Sequence, residues 1–289
     1  MKFVLSGSFC ELTQLSKLAV TADQCGWEAI SFSDHVANLE TLNTPYPYTD
    51  DGSRRWEPFT DWPDPWVMTA ALASLTERLK FTNNIFVLPM RNPFLVAKAI
   101  ATAAVMSGNR VIPAIGVGWS KDEFTLLEQD FHTRGKRCDE ILDILPLLWS
   151  GEMVSYSGRY YSFPRLEMNP APGGPIPIWV GGISDAAMRR AARAGDGWVS
   201  DLQSSEEILA SVAKIRDYRR EYDREDRPFS VMATPSDAFT VEGYRELEAG
   251  GVTHILTQPW PFYYGNTDDV AERCEGIRRF AQDIIAKFD

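Results

Sequence analysis

The chain is poor in the residues that build metal sites, disulfide frameworks and hydrolase motifs. It has three histidines, His35, His132 and His254, and no two of them have the helical spacing of a metal-binding pair, so we expect no bound metal. Its four cysteines, at positions 10, 25, 138 and 274, form no Cys-x-x-Cys pair, which fits reduced thiols in a cytoplasmic protein. A Gly-x-Ser-x-Gly motif is absent, which disfavours a serine hydrolase.

Positive charge and long apolar runs are also scarce. The 29 Lys and Arg residues against 40 Asp and Glu residues give a net charge of −11, which argues against a nucleic-acid partner. No segment is apolar over the length of a membrane span, and the first apolar run is too short for a signal peptide. With 289 residues and 44% hydrophobic content, the chain is long enough for one large domain with an ample core, which we expect to span 1–289.

Short apolar runs alternate with longer amphipathic ones along the chain, which predicts a parallel sheet covered by helices. Eight such strands favour a closed (β/α)8 barrel over an open sheet, with chemistry at the carboxyl ends of the strands. The predicted strands are Phe3–Ser6, Ala29–Ser33, Leu79–Leu88, Arg110–Ile115, Pro177–Val180, Trp198–Ser200, Phe229–Ala233 and Val252–Thr257. The predicted helices are Leu12–Gln24, Pro65–Thr76, Pro93–Met106, Phe124–Leu127, Thr133–Trp149, Asp185–Ala194, Glu206–Tyr222, Val241–Ala249 and Asp268–Phe288.

Two long segments interrupt this alternation, so we expect insertions after strands two and four. Residues 36–64 are rich in Pro, Tyr, Trp and Asp, and a loop of this length in a compact domain is usually functional, so we expect it to act as a lid. Residues 120–175 hold predicted helices and a β-hairpin over 154–163 with Ser157-Gly158 at its turn.

Glycine turns and aromatic residues follow several predicted strands. Strand four runs into Gly116-Val117-Gly118-Trp119, and strand five into Gly181-Gly182-Ile183-Ser184. Glycine allows positive φ and close approach of backbone N–H groups to a ligand, which together with a helix start near Ser120 suits a phosphate. Aromatic side chains such as those of 260–264 supply flat apolar walls. The set predicts a site for a planar heteroaromatic ligand with a phosphate tail.

The same residues resemble the bacterial-luciferase-like flavin and deazaflavin enzymes, especially their coenzyme F420-dependent oxidoreductase branch. The matching pieces are Gly26-Trp27-Glu28, Ser33-Asp34-His35, Leu88-Pro89-Met90-Arg91-Asn92-Pro93, Ser107-Gly108-Asn109-Arg110, Gly116-Val117-Gly118-Trp119 with Glu123-Phe124, Arg134-Gly135-Lys136-Arg137-Cys138-Asp139-Glu140, Ser157-Gly158-Arg159-Tyr160-Tyr161, Pro177-Ile178-Trp179-Val180-Gly181-Gly182 and Gly195-Asp196-Gly197-Trp198. The resemblance covers nearly the whole chain, and the order and spacing of these pieces are together specific.

The resemblance implies a (β/α)8 barrel, often a homodimer, that binds an isoalloxazine or deazaflavin ring at its carboxyl-end mouth. It places a cis peptide bond between Asn84 and Ile85 behind the ring and His35 near the reactive ring carbon. The expected catalytic residues are His35 and Asp34. The expected cofactor-binding residues are Asn83, Asn84, Ile85, Gly116, Val117, Gly118, Trp119, Gly181, Gly182, Ile183 and Ser184.

Several of these side chains have a second interpretation. His35 suits proton transfer near neutral pH but could only cap local structure. Asp34 is expected to orient His35 or a backbone turn rather than to react itself. Trp119 could stack near the cofactor or belong to the core. Arg110 is expected in a structural salt bridge, and the run 134–137 at a solvated helix start, with contact to a polyanionic cofactor tail as the alternative.

The predicted function is hydride transfer between coenzyme F420 and a small organic substrate, with the cofactor doing the chemistry and the protein positioning it. One alternative is an FMN-dependent monooxygenase that uses dioxygen and a separate reductase. Another is a non-catalytic flavin-binding protein, because fold alone does not assign function. A sugar-phosphate isomerase is less favoured, since it calls for a carboxylate base at a strand end and has no need of the aromatic wall.

Overall fold

The computed structural model of the chain describes residues 1–288. The strands are β1 (Lys2–Ser6), β2 (Ala29–Phe32), β3 (Lys80–Asn83), β4 (Phe86–Val87), β5 (Val111–Ile112), β6 (Ala114–Gly116), β7 (Val154–Ser157), β8 (Ser162–Leu166), β9 (Trp179–Gly181), β10 (Gly197–Gln203), β11 (Ser230–Pro235) and β12 (His254–Thr257). The helices are α1 (Leu15–Gln24), α2 (Pro65–Ala73), α3 (Pro93–Met106), α4 (Lys121–Leu126), α5 (Arg134–Leu148), α6 (Asp185–Ala194), α7 (Ser205–Glu221), α8 (Val241–Ala249), α9 (Pro261–Tyr264) and α10 (Val270–Asp283).

Ten of the strand segments form one curled parallel sheet in the order β4-β6-β9-β10-β11-β12-β1-β2-β3-β5. The segments β3 and β4 are two parts of the predicted third strand, and β5 and β6 are two parts of the fourth. Since β3 pairs with β5 and β4 pairs with β6, the two ends of the sheet meet around a barrel of eight strands. The remaining pair, β7 and β8, is the antiparallel hairpin expected near 154–163, and it extends to Leu166.

The third and fourth strands are each interrupted, where the sequence predicted continuous strands. Proline has no backbone N–H to donate to the ladder, and Pro113 separates β5 from β6 while its carbonyl still accepts from Trp179 N at 2.9 Å. The third strand breaks at Asn84 and Ile85, whose peptide bond is cis, as the resemblance implied. The pairing register differs by one residue above and below these breaks, with Phe81 opposite Val111 but Phe86 opposite Ile115.

Two apolar layers make up most of the core, and a third small cluster of Val87, Met90 and Phe124 lies apart from them. The larger lies between the strands and the surrounding helices. The smaller fills the barrel interior and consists of Val4, Ala29, Ile112, Ala114, Trp179, Val199, Met232 and Leu256, with Ile85 packed against it. The interior layer therefore forms the base on which any site at the barrel mouth rests.

Within residues 1–288, no helix is long and apolar enough to cross a membrane.

Candidate active site

A cavity of about 420 Å³ lies at the carboxyl ends of the strands. Eleven of the thirteen predicted site residues line it, which are Asp34, His35, Asn84, Ile85, Val117, Gly118, Trp119, Gly181, Gly182, Ile183 and Ser184. Asn83 and Gly116, which were predicted to bind the cofactor, are the last residues of β3 and β6; both are buried, and neither lines the cavity. The candidate site thus joins segments that are more than 140 residues apart in the chain.

Ile85 forms the floor of this cavity, because it both lines the cavity and packs on the interior layer. Two glycines flank it and make room for its side chain. A Cβ atom on Gly116 would lie 1.9 Å from Ile85 Cδ1, and one on Gly181 would lie 2.4 Å from Ile85 Cγ2. Packing against Ile85 is therefore sufficient to require a glycine at position 116.

His35 is held by Glu123, a buried residue of α4. His35 Nδ1 lies 2.9 Å from Glu123 Oε2, and Val36 N donates to Glu123 Oε1 at 2.7 Å. A carboxylate can only accept, so Nδ1 carries the hydrogen and Nε2 is the nitrogen left for a ligand. Sequence reasoning missed this role of Glu123, although the Glu123-Phe124 pair was among the matching family pieces.

Five aromatic side chains form a wall around His35. His35 lies 4.8 Å from the ring of Trp56 and 4.9 Å from that of Trp62, measured between ring centroids. We call the set the aromatic box; its members are Tyr46, Tyr48, Trp56, Trp62 and Trp119. Four of them come from the segment 36–64, so this long segment supplies much of the cavity wall. Trp119 belongs to this wall and not to the core.

Asp34 pairs with an arginine and not with His35. Its two carboxylate oxygens accept from Arg91 Nη1 and Nη2 at 2.7 Å each, and Oδ2 also accepts from Val87 N at 2.8 Å. Burial raises the pKa of Asp34, and the Arg91 guanidinium opposes that rise. Asp34 thus fixes the backbone turn at Val87, one of the two roles expected for it, while Glu123 takes the other by orienting His35.

Several features near the glycine turns suit an anion. Gly118 and Gly182 have positive φ values of 77° and 119°, and Ser184 caps the start of α6 by accepting from Ala187 N at 3.2 Å. Arg134 lines the cavity and donates to the Gly118 and Phe131 carbonyls, with no carboxylate partner among residues 1–288. Burial lowers the pKa of Arg134, and Arg190 adds to this. The run 134–137 is therefore not simply a solvated helix start.

The short helix α4 fastens the segment 36–64 to the barrel. Asp122 Oδ2 accepts from the backbone N–H groups of Asn43 and Thr44 at 2.9 and 3.1 Å. Glu123 binds the start of the same segment through Val36. The first turn of α4 thus carries two carboxylates, which disfavour an anion at the start of this helix. The group near the Gly118 turn that suits an anion is therefore the Arg134 side chain.

Asp201, near the end of β10, lines the cavity and was not predicted. No hydrogen bond or ion pair engages its carboxylate within the described chain. The signal that could have found it is its place directly after the predicted sixth strand, where a barrel presents its functional side chains.

A larger cavity, of about 600 Å³, lies beside α7 and β11 and is rich in arginine. It contains no residue of the aromatic box and no histidine. Histidine, carboxylates and glycine turns converge only at the barrel mouth among these two cavities, so we assign the site to the barrel mouth. The described residues hold no group of three or more His, Cys, Asp or Glu placed to bind a metal ion.

The sequence is related to those of known proteins. A family model described as luciferase-like monooxygenase matches residues 5–240. An uncharacterized protein of Mycobacterium tuberculosis is 35% identical over 289 residues, covering 99% of this chain and all of that protein. An F420-dependent glucose-6-phosphate dehydrogenase of Nakamurella multipartita is 28% identical over 191 residues, covering 65% of this chain and 52% of that enzyme.

The fold is likewise shared with solved structures. The coenzyme F420 dependent tetrahydromethanopterin reductase of Methanopyrus kandleri superposes with a TM-score of 0.76 at 16% identity, over all of this chain and 99% of that one. At this identity the likeness concerns the fold, and the family model carries the assignment. The chain is a member of the luciferase-like monooxygenase family and an oxidoreductase of that class.

Proposed function

We propose that this protein transfers a hydride between coenzyme F420 and a small organic substrate at the barrel mouth. The observation that carries the proposal is the cavity itself, in which His35, held by Glu123, stands above the Ile85 floor and within an aromatic wall. The 28% identical F420-dependent glucose-6-phosphate dehydrogenase supports this choice of cofactor.

The residues of the cavity fit such a cofactor. Ile85 offers an apolar floor for a flat ring. Trp62 Nε1 is buried and has no hydrogen-bond partner among residues 1–288, so it is available to donate to a polar atom of a bound ligand. Arg134 and the backbone at Gly118 and Gly182 would hold the phosphate. When bound, the deazaflavin ring supplies the hydride donor or acceptor.

The contribution of the chain is to position the reactants and to manage one proton. Glu123 fixes the orientation of the His35 ring, and His35 Nε2 gives or takes the proton at the substrate. The aromatic box keeps water away from this nitrogen. We propose that the segment 36–64 acts as a lid, since it forms most of the box and is fastened by hydrogen bonds to α4.

Parallel titration of the purified protein with coenzyme F420 and with FMN tests the choice of cofactor. We expect coenzyme F420 to bind at least about tenfold more tightly, and Arg134→Ala to weaken its binding about tenfold through the lost charge-assisted contact. Lys136→Ala, which removes an exposed cation two residues away, is the matched control. Binding of neither compound, or tighter binding of FMN, contradicts the proposal.

The family's description favours one second candidate, an FMN-dependent monooxygenase that receives reduced FMN from a separate reductase. Substrate-dependent consumption of dioxygen in the presence of reduced FMN, together with tighter binding of FMN, would establish it. Tight binding of either cofactor without turnover of any substrate would instead favour a flavin-binding protein.

We further propose that the protein is a homodimer through the outer faces of α2 and α3. Both helices are rich in apolar residues, and they expose Val67, Leu95 and Met106 by 69%, 73% and 60%. Exposed apolar surface of this kind marks interaction sites. Light scattering should give the mass of two chains, and Leu95→Asp should give the mass of one; a monomeric parent protein contradicts the proposal.

A further inference from the structure

Asp201 differs in its environment from the other carboxylates of the cavity. Asp34 is paired with Arg91, and Glu123 is bonded to His35 and Val36. Asp201 lines the same cavity, and no donor among residues 1–288 engages it. Asp201 is half-buried at the cavity wall, so its carboxylate is open to a ligand that carries a positive charge or a hydrogen-bond donor.

The aromatic box lies close to this carboxylate. Burial and then the charge of Asp201 raise the pKa of Tyr48 to about 12. Burial also raises the pKa of Tyr46, opposed by Arg55 and aided to a smaller extent by Asp201. Arg55 lies 5.5 and 5.8 Å from the ring centroids of Tyr46 and Tyr48, so the ring faces left for a ligand are those of the three tryptophans. The negative charge of Asp201 is thus felt by at least two of the five rings, so the carboxylate and the box face one space.

Electron-rich ring faces and a carboxylate together recognise one class of ligand. The negative face of an aromatic ring attracts a cation, with tryptophan as the strongest of the aromatic side chains. A carboxylate adds a charge-assisted hydrogen bond to an ammonium group and repels an anionic substrate. A neutral apolar substrate would leave the Asp201 charge desolvated without compensation.

We propose that Asp201 and the aromatic box form a substrate subsite that selects a cationic organic substrate, a protonated or quaternary amine. This inference rests on the proposed function, because it names the class of substrate that the oxidoreductase site accepts. The inference also predicts that sugar phosphates are poor substrates of this protein, because the Asp201 carboxylate would repel a substrate phosphate near the aromatic box.

Binding of choline and of its uncharged isostere 3,3-dimethylbutan-1-ol tests the subsite without cofactor or turnover. Tryptophan fluorescence reports the binding, because three of the five rings of the box are tryptophans. We expect the parent protein to bind choline at least about tenfold more tightly than the isostere, from cation–π and carboxylate contacts combined. Asp201→Asn should reduce this preference at least about threefold and leave the part that the cation–π contacts supply.

The matched control is Asp226→Asn, which makes the same change in net charge at an exposed site away from the cavity. It should keep the preference for choline. Equal binding of the two probes by the parent protein, or an unchanged preference in Asp201→Asn, overturns the inference. Because no cofactor takes part in this experiment, the titration with coenzyme F420 and FMN still tests the proposed function independently.

Discussion

At the scale of single residues, the fit between Ile85 and its two flanking glycines sets the floor of the site. Gly116→Ala would place a Cβ 1.9 Å from Ile85 Cδ1, and Gly181 on the other side leaves the side chain little room to turn. We expect this overpacking to lower the free energy of unfolding by about 1–3 kcal/mol in denaturant titrations.

Two variants make that prediction specific. Gly173→Ala is the control, because a Cβ there meets no atom within 4 Å. In the double variant Gly116→Ala with Ile85→Ala, the loss should be smaller than the sum of the two single losses, because the clashing group is gone. Additive losses would show that Gly116 and Ile85 are not coupled.

His35 carries the proton step of the proposed reaction, and its replacement should separate catalysis from binding. We expect His35→Ala to lower kcat about 100-fold or more, the usual worth of a general acid or base, while the Kd for coenzyme F420 changes by less than about threefold. Steady-state kinetics and cofactor titration measure the two quantities. Unchanged kcat would remove His35 from the mechanism.

Sequence reasoning found the residues that stand at strand ends and missed those whose role depends on a distant partner. His35 and Gly118 follow predicted strands, so their place at the mouth could be expected. The pairing of Glu123 with His35 joins residues 88 positions apart, and local pattern carries no sign of such a contact. Asp201 stood at a predicted strand end, but a single carboxylate gave no motif.

At the scale of elements, the attachment of the segment 36–64 to α4 controls access to the cavity. Asp122→Ala removes the acceptor of the Asn43 and Thr44 backbone N–H groups, and we expect trypsin to cut after Arg54 and Arg55 several-fold faster. Mass spectrometry identifies the cut sites. Asp226→Ala should leave the rate unchanged, and equal rates in both variants would contradict the role of α4.

Helix and strand periodicity predicted most elements well and failed where a single residue breaks the backbone pattern. The helices α3, α6 and α8 have the predicted ends, because proline, serine or glycine stands at their termini. Strand three was predicted as one piece, and its break at Ile85 depends on space left by Gly116 and Gly181 from other strands. The last helix ends at Asp283, with a short 3-10 turn following at 285–287.

At the scale of the whole molecule, a buried histidine makes stability depend on pH. Burial lowers the pKa of His254 to about 4, and its ring packs edge-on to Trp179 with centroids 4.9 Å apart. Between pH 6.5 and 4 the unfolded chain binds a proton here that the folded chain does not, so stability falls as pH falls through this range.

This group should make the protein about 2 kcal/mol less stable at pH 5 than at pH 7. Urea unfolding at the two pH values measures the difference, and His254→Gln should reduce it by that amount. His132→Gln is the control, because His132 is exposed. An equal pH dependence in the parent protein and in His254→Gln would contradict the assignment.

The most direct measurement is a crystal structure of the protein grown with saturating coenzyme F420. We expect the deazaflavin ring to lie over Ile85 with His35 beside it, and the phosphate to lie near Arg134 and the Gly118 turn. Cofactor bound outside this cavity, or an empty barrel mouth at saturating cofactor, would contradict the assignment of the site.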